Sequence, residues 1–497
     1  MSTRKTPGVY VVENNAFPNS VIEVATAVLA FIGYTKIAQN GEKSLHKKPW
    51  RISSLAEFME YFGGEPDSIF SFTETTDKAL KNTGTLIALN GDTSKFYSVA
   101  RKDSFNLYYN MKLFFANGGG SCYIVSVGSY ADDFNGDALA SGIDILSKEQ
   151  EPTMVVVPEA VNTATAQACY DIQTAVVKHC GENKNRIAIL DVYNGNKART
   201  DTAAGDVIAK FREKIGTEFL NYAAAYYPWL NTSVVSESEI TFRNIDEKNL
   251  GDFKTVVKSH SPNLAVYIDA IGTSTDKKLL DTAHKVLCDQ CPFYAAIIKE
   301  MLDQVNLFPP SAAMAGIFTQ TDLTKEVWNA PANVGLANVI STSVNISHAD
   351  QEDLNVPLDG KAINAIRYFT GEGIKVWGAR TLDGNSADWR YISVRRTMIM
   401  LEESIKNVAR AFVFEPNVAN TWVIVRSMIS NFLNGIWKRG GLAGAVPEDA
   451  YSVHIGLGNT MTPDDVLEGI MRITVLVAVS RPAEYIEITF IQQMQKS

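Results

Sequence analysis

From Ile143 to about Pro309 the chain alternates short, wholly apolar runs with longer amphipathic stretches. The runs M-V-V-V-P at Met154, R-I-A-I-L-D-V at Arg186 and Y-A-A-A-Y-Y-P-W at Tyr222 have the length of strands and no polar face. Between them, helical spacing is expected over Ala164 to His179 and again near Ala203 to Ile215. Continuous apolar strands separated by amphipathic helices predict a parallel sheet covered on both faces. Leu264 to Asp269 and Lys278 to Leu287 extend that alternation as a strand and a helix. Upstream, Thr26 to Tyr34 reads as a buried strand, T-K-I-A-Q-N-G-E-K-S-L-H-K-K-P as a polar loop, and Ser53 to Phe62 as a short helix stopped by Gly63.

The last quarter follows other periods. Met398, Leu401, Ile405, Val408 and Phe412 recur at three and four residues, which puts one apolar stripe on a helix over Arg395 to Phe412. Its other face is charged: Glu402 and Lys406 are spaced to pair, and Lys406 with Arg410 makes a basic end that suits the helix dipole. A second helix is expected from Thr421 to Trp437, with Gly440 and Gly441 as its stop. Strands follow at Tyr451 to Ile455 and, buried, at Arg472 to Val479. Beyond a break at Arg481-Pro482, Tyr485 to Ile491 alternates Tyr485, Glu487 and Thr489 with Ile486, Ile488 and Phe490. The other end matches, since Val9 and Val11 alternate with Tyr10 and Val12 before the turn-forming run Asn14 to Asn19. Both ends are strand-like and need a sheet from elsewhere.

Composition narrows the picture. With 497 residues, 46% of them hydrophobic, the chain can bury a large core and divide into two or three domains. A net charge of -9 with scattered Lys and Arg argues against a general nucleic-acid or anionic-membrane binder. The longest apolar stretches, Val21 to Ile32 and Ile473 to Val479, are too short to span a bilayer. Five cysteines, an odd number spread widely, suit a reducing compartment. Cys288 and Cys291 form a C-x-x-C with His284 one turn earlier. No further ligand pair accompanies them in the sequence, so they read as two thiols near the end of a helix.

Chemistry has few candidates. Asp191 ends one predicted strand and Glu159 follows another, the position where α/β enzymes place ligands. The pair would serve a metal or act as acid and base; the same residues at strand ends also cap helices. Gly118 to Gly120 precede a strand, whereas a phosphate-binding loop opens onto a helix, so they read as a tight turn. Neither a nucleophile elbow nor a phosphate loop nor H-E-x-x-H occurs, and no cofactor is expected.

A wider pattern is carried by longer motifs: V-W-G-A-R-T-L at Val376 to Leu382, F-E-P-N at Phe414 to Asn417, F-L-N-G-I-W-K-R-G-G-L-A-G-A-V-P-E-D-A, and R-P-A-E-Y-I-E-I at Arg481 to Ile488. P-P-S-A-A-M-A-G-I-F-T-Q-T-D at Pro309 to Asp322, V-W-N-A-P-A-N at Val327 to Asn333 and T-P-G-V-Y-V-V-E at Thr6 to Glu13 accompany them. Together they resemble the sheath subunits of contractile phage tails and related injection systems. The likeness is dense over the last third, clear at the start and thin between Thr35 and Phe308; H-I-G-L-G-N-T-M-T-P-D-D departs from the family pattern.

The resemblance implies a multidomain α/β and α+β fold without enzymatic activity. A linking arm over 1–20 would join an inner sheath domain at 346–480. Outer α/β domains with a largely parallel sheet would fill 21–345, with a sub-domain at 35–140, and a second arm would cover 481–497. It implies that Val9, Tyr10, Val11, Val12, Tyr485, Ile486, Ile488 and Phe490 add strands to neighbouring subunits, with Asn14 to Asn19 and Arg481 to Ala483 as hinges. The helix bearing Glu402, Lys406 and Arg410 would face an inner tube. Implied partners are further copies of the chain in a helical homopolymer, the tube protein, and baseplate and tail-terminator proteins, without nucleic acid or membrane insertion. Assembly is expected in a bacterial cytoplasm, within a phage tail or tail-like particle that is retained or released. The alternatives are an α/β enzyme or small-ligand binder with its site near Glu159 and Asp191, and a non-contracting scaffold built with the same arms.

Overall fold

The structure, a computed structural model, describes residues 21–75, 86–89, 92–200 and 205–487. The chain divides into two compact units, one of residues 26–395 and one that joins the first 25 residues to 396–497.

The larger unit is built on an eight-stranded sheet. Its strands are β1 (Leu29–Thr35), β2 (Trp50–Ile52), β3 (Cys122–Ser129), β4 (Met154–Val156), β5 (Ile187–Asp191), β6 (Ala223–Tyr227), β7 (Asn364–Phe369) and β8 (Gly373–Trp377). In space they run β8-β7-β6-β5-β4-β1-β3-β2. The inner strands pair in parallel, and the two edges, β2 and β8, pair antiparallel to their neighbours. Every residue of β1, β4, β5 and β6 is buried, as uniformly apolar runs require when helices cover both faces. The expected parallel sheet is present and larger than the 143–309 stretch that suggested it. It takes β1 to β3 from the segment before and β7 and β8 from the segment after. Segment 35–140 gives β2 and β3 to this sheet and also carries a separate three-stranded antiparallel sheet of Phe70–Thr75, Leu86–Leu89 and Asp92–Arg101, and 346–395 belongs to the larger unit.

Several expected elements form where their chemistry places them. Ser54 accepts from the Glu57 N–H to start Leu55–Phe62, and Thr165 accepts from the Ala168 N–H to start Ala166–Asn183. The helix expected near Ala203 is shorter, Val207–Lys214, and begins where the Asp206 carboxylate caps it. Leu264 to Asp269 is not a strand. It lies in a 3-10 turn and the helix Ala265–Ala270, in which Leu264, Ile268 and Ile271 are buried at i, i+4 and i+7 while Val266 is 78% exposed. The Pro309 to Asp322 motif is a helix, Ser311–Lys325, buried along nearly its whole length and packed on Leu107–Ala116. Small residues permit that approach: a Cβ on Gly316 would stand 2.6 Å from the Phe114 carbonyl oxygen.

In the smaller unit, α1 (Ile392–Arg410), which starts four residues upstream of it, and α2 (Ala419–Lys438) supply the helices. Val425, Met428, Ile429, Leu433 and Ile436 line the buried face of α2. The segment before Thr26 runs against α1, where the Val24 N–H donates to Ser404 Oγ at 3.1 Å and Glu23 pairs with Arg439. β9 (Tyr451–His454) and β10 (Thr474–Val477) form a two-stranded antiparallel sheet. β10 was expected to be buried, but its residues alternate between exposed and half-buried because only one face has packing beneath it. Residues 481–487 carry no regular structure.

Candidate functional site

The charged end of α1 opens onto an apolar concavity of about 800 Å³ in the smaller unit. Lys406 and Arg410 stand on its rim, and Phe412, Val413, Val425, Met471 and Ile473 line it. Lys406 and Arg410 are both exposed. Lys406 Nζ pairs with Glu403 Oε1 at 2.8 Å, one turn back, rather than with Glu402 as its spacing suggested. Both spacings are open to an exposed Lys on a helix, and rotamers decide between them. Among the described residues Arg410 has no ion-pair partner, which leaves an uncompensated guanidinium at the helix end.

The connection from α1 to α2 shapes the concavity. Phe414 sits at φ 74 and is fully exposed, an uncommon backbone region for an aromatic residue. Trp422 Nε1 donates to Asn417 Oδ1 at 2.7 Å, and Asn417 Nδ2 donates to the Ile470 carbonyl at 3.1 Å, so the F-E-P-N motif is tied at its end to both neighbours. Val418, just before α2, and Val423 and Ile424 on it remain about half exposed. The sequence reading found Lys406 and Arg410 but missed the apolar lining. Its one local signal was the run Phe412 to Phe414, apolar residues past the end of an amphipathic helix.

The strand residues expected to link subunits fall largely outside the described residues. Val9, Tyr10, Val11, Val12, Ile488 and Phe490 lie there, as does the hinge at Asn14 to Asn19. Tyr485 and Ile486 are described, are 71% and 79% exposed, and are in no strand.

Glu159 follows β4 and Asp191 ends the adjacent β5, and each is committed to holding another element. Glu159 is fully buried. Its Oε2 accepts the Tyr34 N–H at 2.8 Å, and its Oε1 accepts those of Asn106 and Leu107 at 2.6 and 2.9 Å. It thus joins the end of β1 to the start of the helix Leu107–Ala116. Gly33 leaves room for it, since a Cβ there would stand 2.7 Å from Oε2. Asp191 accepts the Ser311 N–H at 2.8 Å and the Ser311 hydroxyl, capping Ser311–Lys325. Burial pushes both carboxyls up to about 7, against the opposing effect of these hydrogen bonds. The two share no partner. The capping alternative holds, but the capped helices are distant in sequence rather than the ones that follow.

The remaining candidates are structural as well. Cys291 is fully buried between Lys277–Gln290 and Pro292–Val305, Cys288 is half-buried, and both thiols are free. The His284 ring lies 2.8 Å from the Tyr294 hydroxyl. His454 is in β9, its Nε2 3.1 Å from Ser452 Oγ. Gly118 to Gly120 turn into β3. No group of His, Cys, Asp and Glu suited to a metal ion occurs among the described residues, and no helix there is long and apolar enough to cross a membrane.

Residues 385–490 match the family model of the phage tail sheath C-terminal domain. Over 395 residues the chain is 23% identical to the tail sheath protein of Enterobacteria phage T4, across 78% of this chain and 52% of that protein. The chain therefore spans about half the length of that curated relative. Among solved structures, the sheath complex of an extracellular contractile injection system, PVC, in its contracted state is 27% identical, with a TM-score of 0.61 over 99% of both chains. The helical sheath of the anti-feeding prophage in its contracted state is 26% identical, with a TM-score of 0.62 over 99% of this chain and 100% of that one.

Proposed function

We infer that this chain, which belongs to the contractile tail sheath family, is a structural subunit that polymerises helically around an inner tube and contracts to drive that tube through a target envelope. One observation carries the reading: over 99% of its length the chain follows the subunit of a contracted injection-system sheath, and over 99% of that subunit's length in turn. The buried carboxylates at β4 and β5 are spent on holding helices, so the enzyme alternative has no site there.

The joining chemistry belongs to the smaller unit. β9 and β10 form a sheet of two strands, and strand pairs are weak alone and gain from further strands. The alternating sequences Val9 to Val12 and Tyr485 to Phe490 supply such strands from neighbouring subunits. About six backbone hydrogen bonds per arm, each worth about 1 kcal/mol net, make a link that survives large movements of the units it joins. Asn14 to Asn19 and Arg481 to Ala483 are the hinges. Residues 346–480, less the part that packs with the large sheet, make the inner domain, and the large sheet belongs to the outer one.

The rim of α1 faces the tube. Lys406 and Arg410 would meet carboxylates there, and the exposed Phe414 would add apolar contact. Baseplate and terminator proteins bound the polymer at its ends. Contraction draws on the packing difference between extended and contracted lattices, summed over many subunits. The particle is a phage tail or a tail-like device assembled in a bacterial cytoplasm.

Electron microscopy of the purified full-length chain beside a version lacking Met1 to Glu13 tests this reading. Hollow helical tubes from the full chain only are expected; monodisperse particles from both would overturn it.

A further inference from the structure

The loop after β1 carries charge opposite to that of the rest of the chain. Residues 36–51 hold Lys36, Lys43, Lys47, Lys48 and Arg51 against the single carboxylate of Glu42. That segment is +4 in a chain of -9, so everything outside it sums to -13. The loop is also firmly built. Gln39–Asn40 pairs antiparallel with Lys43–Ser44 around Gly41. Leu45 is fully buried, and its N–H donates to the Ala38 carbonyl at 2.9 Å. The Ile37 N–H donates to the Phe62 carbonyl at 3.0 Å, and the Lys47 N–H to the Ser126 carbonyl at 2.8 Å. Lys47 has a left-handed backbone, φ 53, a region uncommon outside glycine, and the anchors around it fix the path.

All four lysines are exposed, and among the described residues none has an ion-pair partner. Lys48 Nζ donates only to the Ser44 carbonyl of its own loop, at 3.0 Å. Arg51 at the loop's end pairs with Glu151 at 3.4 Å. The fold thus places four exposed lysines on one anchored loop whose only carboxylate is that of Glu42.

We propose that this basic hairpin is a lattice contact that docks on the acidic surface of a second copy of the chain. The inference rests on the polymer reading above. Charge selects the occupant: a second copy presents net negative surface, and a helical polymer brings one to every hairpin at high local concentration. Because the loop is ordered beforehand, docking loses little backbone entropy. Between solvated surfaces the attraction depends on salt, as the screening length falls from ~10 Å at ~0.1 M to ~3 Å at ~1 M.

The test is sedimentation of full-length chain and of the variant Lys36→Glu, Lys43→Glu, Lys47→Glu, Lys48→Glu in ~0.1 M and ~1 M NaCl, with circular dichroism melts as the folding control. The milder pair Lys43→Gln, Lys48→Gln covers a folding failure of the first. For the wild type, a pelleted fraction that drops at least about threefold from low to high salt is expected. The reversed variant is expected to be low and flat, and the neutralised pair intermediate. Folded variants that pellet like the wild type at both salts overturn the proposal. So does wild-type binding to phosphatidylglycerol vesicles with assembly untouched by the reversal, which would assign the hairpin to lipid. A wild type that pellets at neither salt overturns the polymer reading itself, a distinguishable result.

Discussion

At the scale of single residues, Glu159 and Asp191 look alike in sequence and differ in how they hold their partners. A protonated Glu159 still offers its hydroxyl oxygen to the Tyr34 N–H, whereas the amide nitrogen of Glu159→Gln would set donor against donor. That variant is expected to lose about 1–3 kcal/mol of stability at pH 5, read from denaturant unfolding. Asp191→Asn is expected to lose less than about 1 kcal/mol, because its amide can donate to Ser311 Oγ while its carbonyl keeps the Ser311 N–H. The pH dependence has a definite sign. The carboxyl of Glu159 is raised from 4.5 to about 7 in the fold, so the native state holds its proton more tightly than the unfolded chain. Its contribution is full below the unfolded value and is lost as pH rises through about 7. The deficit of Glu159→Gln should therefore be largest near pH 5 and narrow by pH 8. A deficit that widens with pH would refute the assignment. On α1, replacing Lys406 and Arg410 together with Glu is expected to reduce co-sedimentation with the tube protein by about tenfold or more while self-assembly persists.

At the scale of elements, small residues matter as much as apolar ones. The helix Ser311–Lys325 meets Leu107–Ala116 so closely that Gly316→Val would force its side chain into the Phe114 carbonyl and the Asn117 Cβ, 2.6 and 2.8 Å from a first added carbon. A loss of about 3 kcal/mol or more is expected by thermal or denaturant unfolding, as overpacking against backbone cannot be relieved by a rotamer change. Helices and strands with strong periods were legible in the sequence, as was the stop at Gly63. Leu264 to Asp269 was not, because six apolar and polar residues satisfy either period, and only the burial of Leu264, Ile268 and Ile271 together selects the helix. In β10 the run V-L-V looks like core, yet its residues are exposed and half-buried in turn; whether a second layer covers a strand is not written in the strand.

At the scale of the whole chain, the larger unit has its own sheet, core and helix caps. A fragment of residues 26–395 is expected to fold with a cooperative thermal transition and to form no helical tubes by electron microscopy, since the hairpin contact alone lacks the linking arms, whereas the full chain is expected to assemble. A fragment that forms tubes would place the polymer contacts outside the smaller unit and the arms. The division also explains the long-range closure of the smaller unit: residues 21–25 lie on α1, hundreds of positions away, through the bond from Val24 to Ser404.

The sequence by itself determined the class of the large sheet, the two carboxy-terminal helices and the basic end of α1, because hydrophobic period and helix-end charge are local properties. Its motifs also carried the family resemblance. Tertiary structure decided which distant strands enter one sheet, that Lys406 pairs with Glu403, and that Glu159 and Asp191 serve as caps instead of ligands. The strand order and the two caps depend on which backbone groups are brought beside one another from far along the chain, and the Lys406 pairing on the rotamer its surroundings select. No local pattern records that, since burial and hydrogen-bond partnership exist only once the chain has closed on itself.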